Sequence, residues 1–193
     1  MSFLRYLIEM IFGKKGGDKK VLRDLKARIP GAPNFTYGEF LKSDTAMRLG
    51  IKNEPNEEQW QNIEKLAFNI LQPVRDRFGR VNITSGFRSP ELCIAVGSFK
   101  EVDGKIIVTS NHQRGEAGDV EPDDPTIPLI DVVNFIYNEC DFRELIAEYF
   151  PGGWVHAAYR EGGNARILKL KDSNHNFKEV TIEYLNSIYK GSV

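Results

Sequence analysis

Between His112 and Asp119 the chain reads His-Gln-Arg-Gly-Glu-Ala-Gly-Asp, and no other stretch restricts the fold as strongly. On an unbroken helix this spacing would put imidazole and carboxylate on one face. Gly115 and Gly118 argue against the helix, since each weakens it by roughly 1 kcal/mol relative to alanine. The segment is therefore expected as a loop feeding a strand at Asp119-Val120-Glu121. A loop brings two ligands together only if another element completes the set. The chain holds three histidines, His112, His156 and His175. The third ligand is expected at His156, within Gly153-Trp154-Val155-His156-Ala157-Ala158-Tyr159.

The elements around this loop follow from pattern. Thr36 to Glu39 is a capping-box signal for a short helix, and Asp44 to Leu49 with Gly50 behind it reads as another. The clearest helix is 57–78: Asn56 caps it, Trp60, Ile63, Ala67, Ile70, Leu71, Val74 and Phe78 form one apolar stripe, Pro73 predicts a kink and Gly79 a stop. Val81 to Thr84 reads as a strand, Ser89-Pro90 opens a short helix to Val96, and Asp103-Gly104 turns a hairpin between 99–102 and 105–108. A helix is expected over 128–139, and 142–149 fits strand or helix. Trp154 to Arg160 reads as a strand with Trp154, His156 and Ala158 on one face, and Arg166 to Lys171 as its hairpin neighbour. Val180 to Tyr189 is the periodic piece of the tail. The sum is an α+β fold, a small, mostly antiparallel sheet packed with helices.

A chain of 193 residues is long enough for one domain with a substantial core. A net charge of −1 gives no general attraction to nucleic acid or an anionic membrane. Cys93 and Cys140 lie in apolar segments and are expected as buried free thiols. No apolar run approaches the ~18–20 residues needed to cross a bilayer. The apolar stretch 3–12 is interrupted by Glu9, and Lys14, Lys15, Lys19 and Lys20 follow it, so no cleaved signal peptide is expected. Leu4, Leu7, Ile8 and Ile11 make it a short amphipathic helix before a basic link. Two readings stand for residues 1–20: a helix packed on its own domain, or a docking peptide for a protein or a membrane surface. The expected organisation is an N-terminal helix and linker over 1–33, a domain over 34–171 and a tail over 172–193 packed on it.

Two imidazoles and a carboxylate suit Zn²⁺ with a fourth position open to water, and are too rich in nitrogen for Ca²⁺ or Mg²⁺. Pattern alone equally allows a satisfied loop histidine, a core histidine and a turn aspartate.

Ser110-x-His112-x-x-Gly115-x-Ala117-x-Asp119 resembles the S-x-H-x-x-G-x-A-x-D motif of the zinc D-Ala-D-Ala carboxypeptidase family, whose fold is shared with the hedgehog signalling domain. Ser85-Gly86-Phe87-Arg88-Ser89 is similar to that family's S-G-Y/F-R-S segment, Trp154-Val155-His156 to its strand ending in histidine, and Asn34 to Phe40 to the start of phage-type members. The similarity covers roughly residues 34–160. It implies that His112, Asp119 and His156 ligate Zn²⁺ and that Arg88 binds or polarises the scissile carbonyl; Ser110 reads as a hydrogen-bond partner of substrate or of a ligand, or equally as a structural turn residue. It further implies a peptidoglycan peptidase, a D-Ala-D-Ala carboxypeptidase or D,D-/L,D-type endopeptidase acting on stem peptides through a zinc-activated water. With no signal peptide, the expected setting is a phage lysin or virion protein, in the virion or the host cytoplasm before it reaches the wall. The other reading is a virion-associated or wall-binding structural protein whose peptidase-like domain is not catalytic.

The resemblance weakens at the general base. Many members carry Asp or Glu three residues before the last histidine, where this chain has Gly153. Others place the glutamate on the preceding strand, which resembles Glu148 here; Glu116 is second choice. His175 lies outside the similarity and is expected at the surface, and the Asp103-Gly104 hairpin is expected as an insertion beside the cleft.

Overall fold

In a computed structural model of the chain, residues 23–190 are described. The expected helix at 1–12 and the basic link at 14–20 lie outside them. A strand pair, Arg28–Ile29 (β1) and Ala32–Thr36 (β2), opens the described chain and buries Ile29 and Ala32. Thr36 and Glu39 form the expected capping box at a 3₁₀ turn, Tyr37–Phe40. Ser43 caps Asp44–Leu49 (α1), which Gly50 ends.

The long amphipathic segment is three pieces in series: α-helical Glu57–Leu66 (α2), π-helical Ala67–Leu71 and α-helical Gln72–Phe78 (α3). Asn56 and Gln59 exchange backbone-to-side-chain hydrogen bonds of 2.8 and 2.9 Å at its start. Pro73 does more than kink the helix. It has no N–H to return to the carbonyl four residues back, and its ring crowds that carbonyl. The chain widens by one residue instead, with the Gln72 N–H bonded to the Ala67 carbonyl, a π turn ahead of the proline.

Six strands form the main sheet: Val81–Ser85 (β3), Ala117–Pro122 (β6), Glu144–Glu148 (β7), Trp154–Ala158 (β8), Ile167–Lys171 (β9) and Phe177–Glu179 (β10), in the order β10-β9-β7-β8-β6-β3. Lys100–Val102 (β4) and Lys105–Ile107 (β5) make the expected separate hairpin. Pro90–Ala95 (α4) follows β3, Leu129–Glu139 (α5) precedes β7, and Ile182–Lys190 (α6) ends the described chain. The ambiguous 142–149 segment is strand. Strand β6 starts two residues before Asp119, so this candidate ligand lies within a strand and not at its mouth.

The period of two along each strand divides the sheet into an apolar and a polar face. Val120, Leu145, Ala147, Val155, Ala157 and Leu168 pack with Ile63, Ile70, Leu71 and Val74 of the long helix and with Val132, Val133 and Ile136 of α5. On the opposite face Asp119, Glu144, Glu148, His156, Lys169 and Lys171 line a cleft of about 940 Å³. Helix α6 adds Leu185 to the core, and its Asn186 exchanges amide hydrogen bonds of 2.9 Å with Asn134 of α5. Cys93 and Cys140 are free and buried.

One expectation is corrected. Strand β9 is not the hairpin partner of β8; it crosses over and pairs in parallel with β7, Glu148 opposite Lys171. Strand β8 has no edge to offer, because β6 and β7 already pair with its two sides.

Gly115 ties the His112 loop to α2. It has φ of +74°, and a Cβ there would stand 2.4 Å from the Gln59 carbonyl oxygen. The side chains of Gln59 and Asn62 clasp the same turn, donating to the carbonyls of Gln113 and Arg114. Gly115→Ala is expected to lower unfolding free energy by at least about 2 kcal/mol, read from the denaturant midpoint; an unchanged midpoint would contradict this packing.

Candidate metal centre

His112 opens a 3₁₀ turn, His112–Arg114, that Gly115 closes in the left-handed region. The Ser110 Oγ accepts the His112 backbone N–H at 3.2 Å, which starts the turn. Asp119 and His156 need no loop to meet, since they are directly opposed residues of β6 and β8. The histidine turn lowers His112 onto this pair. His112 Nε2 lies 3.1 Å from His156 Nδ1 and 3.2 Å from Asp119 Oδ1, and His156 Nδ1 lies 2.8 Å from Asp119 Oδ1. All three residues are buried.

The set can be tested against a metal by its edges. Tetrahedral Zn²⁺ with bonds of about 2.0–2.1 Å needs donors about 3.3 Å apart. The three edges here are slightly shorter, so a small outward movement of the side chains admits the ion. Tautomers agree for the first ligand: His112 Nδ1–H donates to the Gly86 carbonyl at 2.7 Å, which leaves the Nε2 lone pair facing the other two donors. Among the described residues this is the one His/Cys/Asp/Glu group placed to hold a metal ion.

Electrostatics prepare the same state. Burial alone would raise the Asp119 carboxyl, but His112 and His156 outweigh it and hold it well below the usual carboxylate range. Burial pushes His112 down, with Arg88 and His156 adding to it against Asp119, so its ring is neutral at neutral pH. For His156 burial is overcome by the hydrogen bond and charge of Asp119, with Glu144 and Glu148 adding, and its pKa is raised. The central proton therefore resides on His156 Nδ1, between a carboxylate and a neutral imidazole.

Arg88 does not extend freely into the cleft. Its Nη2 donates to Asp119 Oδ2 and its Nε to Ser85 Oγ, both at 2.8 Å, while the residue lines the cleft wall. Buried Asn53 holds the backbone on both sides of it: Nδ2 donates to the carbonyls of Phe87 and Leu41, and Oδ1 accepts the Ser89 N–H at 2.7 Å. An isolated asparagine between two helices carries no sequence signal for that task.

Glu148 reaches the cleft face of β7, 7% exposed, two residues along from the position opposite His156. Lys171 donates to its Oε2 at 2.7 Å. Gly153 cannot hold a carboxylate in its stead: its φ is +77°, and a Cβ there would stand 2.1 Å from the Glu148 carbonyl oxygen. Glu116 is removed as a base, because Arg114 and Arg160 chelate its buried carboxylate at 2.6–2.9 Å and it lies apart from the cleft lining. His175 is exposed, as expected, and also lines the cleft, with Nδ1 2.8 Å from the Tyr149 hydroxyl. Glu144, Lys169 and Lys171 also line the cleft, unforeseen. The Leu-Lys-Leu-Lys alternation of β9 reads as an ordinary solvent-facing strand, so its lysines carried no signal. The 99–108 hairpin contributes Lys100 at the rim.

A scan of family models matches residues 33–157 to the peptidase M15 family. The chain belongs to that family. No individual curated protein matches it. The M15 match makes the chain a zinc D-Ala-D-Ala carboxypeptidase-like member of a zinc-dependent metallopeptidase family, and the His-Asp-His group is one that could hold such an ion. The matched segment holds His112, Asp119 and His156 together with Arg88 and Glu148, and ends before Lys169, Lys171 and His175.

Metal-free protein is expected to take up one equivalent of Zn²⁺. Alanine at His112, Asp119 or His156 should weaken uptake by more than the roughly 100-fold that loss of an outer partner brings. Zinc must displace the proton on His156 Nδ1, whose pKa is raised above the ordinary 6.5. Affinity should therefore rise with pH, by up to roughly tenfold per unit, until that proton is lost. Chelator-competition titrations between pH 5.5 and 8 check both points; a pH-independent affinity would contradict the assignment.

Proposed function

We propose that this chain is a zinc-dependent peptidoglycan peptidase, a D-Ala-D-Ala carboxypeptidase or D,D-/L,D-type endopeptidase of stem peptides, with Glu148 as its proton carrier. The observation that carries the reading is the position of Glu148: a buried carboxylate on the same cleft face as His156, in a chain of the M15 family.

His112, Asp119 and His156 would hold the zinc ion, which when bound would supply a water activated near neutral pH and a Lewis acid for the carbonyl. The chain's own groups do the rest. Arg88, anchored by Ser85 and Asp119, turns its remaining N–H groups to the scissile carbonyl oxygen and stabilises the negative charge that develops there. Glu148, anchored at Oε2 by Lys171, takes the proton of the attacking water and passes it to the leaving amine. Ser110 and Asn111, on the same wall, offer polar groups to the peptide backbone.

A wall-binding or virion structural role without catalysis draws on Gly153, where many relatives of this type carry the base. Peptidoglycan digests read by mass spectrometry separate the two. Release of D-alanine or scission within the stem peptide is expected, lost in a chelator and restored by Zn²⁺. Glu148→Gln should lower kcat by roughly 10²–10⁴-fold with zinc content unchanged. Cleavage that survives the chelator removes the zinc mechanism, full activity in Glu148→Gln removes the proton carrier, and wall binding without cleavage supports the structural role.

A further inference from the structure

Two of the three ligands have an outer partner on the side away from the metal position. His112 has the Gly86 carbonyl on Nδ1, and Asp119 has Arg88 on Oδ2. His156 has none. Its Nε2 is buried and without a hydrogen-bond partner. Ligation through Nδ1 requires a lone pair there, which leaves the ring proton on Nε2 as a buried N–H in need of an acceptor.

The carboxylate placed to receive it is Glu144, whose Oε1 stands 3.9 Å from His156 Nε2. Glu144 belongs to β7, two residues from Ile146, which faces His156 across the ladder, so both side chains stand on the cleft face. It is held from two sides. Asn111, the residue before His112, donates to Oε1 at 3.1 Å, and the Lys169 ammonium is paired with Oε2. Approach by about 1 Å completes a normal N–H···O bond.

We propose that Glu144 is the positioning residue for His156, accepting the Nε2–H when Nδ1 is given to the metal, and that Asn111 and Lys169 hold its carboxylate for that purpose. The inference rests on the metal-centre reading and is independent of which bond is cleaved. Lys169 lies beyond the segment matched to the family, so this support is supplied by the flanking chain.

Zinc affinity is measured by competition with a chromophoric chelator, and histidine ring protons are followed by NMR in ¹⁵N-labelled protein. Glu144→Ala is expected to weaken zinc binding by about 10–100-fold. Glu144→Gln, which keeps an acceptor oxygen, should stay within about threefold of wild type. Zinc-loaded wild type should display an exchange-protected Nε2–H resonance that is lost in Glu144→Ala. Wild-type affinity in Glu144→Ala, or an equal loss in Glu144→Gln, would overturn the assignment. So would the lack of that resonance in zinc-loaded wild type, a readout that needs no variant to fold. Zinc uptake by wild type is the control that tests the metal-centre reading by itself.

Discussion

Everything in the cleft depends on one cross-strand pair, Asp119 opposite His156 in the antiparallel ladder of β6 and β8. Directly opposed residues hold their Cβ atoms about 4.5–5.5 Å apart with both side chains on one face. Such a pair is an anchor that loop motion does not disturb. A register slip of one residue would turn His156 into the core and bring Val155 or Ala157 to the cleft. The slip is opposed by Val120, Leu145, Ala147, Val155 and Ala157, which are buried against the helices by the same alternation. Burial of the apolar face thus specifies the geometry of the polar one.

The third ligand arrives differently. His112 sits on a single 3₁₀ turn, and its place is set by backbone contacts: Gly115 against α2, the Gly86 carbonyl on its ring, and the Arg88 N–H on its own carbonyl at 3.3 Å. Gly86 is itself pressed on the 3₁₀ turn at Phe40, where a Cβ would stand 2.5 Å from the carbonyl oxygen. The two segments that resemble the family motifs are therefore one packed unit. Their glycines are places where backbone meets backbone.

Much of this was legible in the residues themselves. Histidine scarcity and the motif singled out His112, Asp119 and His156, which the fold brings together, and the helices followed from caps and apolar stripes. What escaped has physical reasons. The partner of β9 is decided by which strand edges remain open, a property of the assembled sheet that no local pattern encodes. Lys169 and Lys171 alternate with leucines as exposed lysines do, so nothing marked them as partners of Glu144 and Glu148. Asn53 acts through three backbone groups far away in sequence. Glu148 was within reach because a strand reading of 142–149 gives it the parity of His156, once the turn through Gly153 is allowed its length.

The closed turn at Gly153 has a further consequence. With no side chain permitted at Gly153, three residues before His156, the cleft carboxylates outside the His-Asp-His group are carried by β7, whose other neighbour is the parallel strand β9. The site is thereby split along the seam between β7 and β8. On one side stands the His-Asp-His group; on the other stand two carboxylates, each leashed to a lysine from beyond the matched segment. Sequence change in the 167–179 hairpin can retune how those acids are held and what enters the cleft, and through Lys169 and Glu144 it reaches as far as His156.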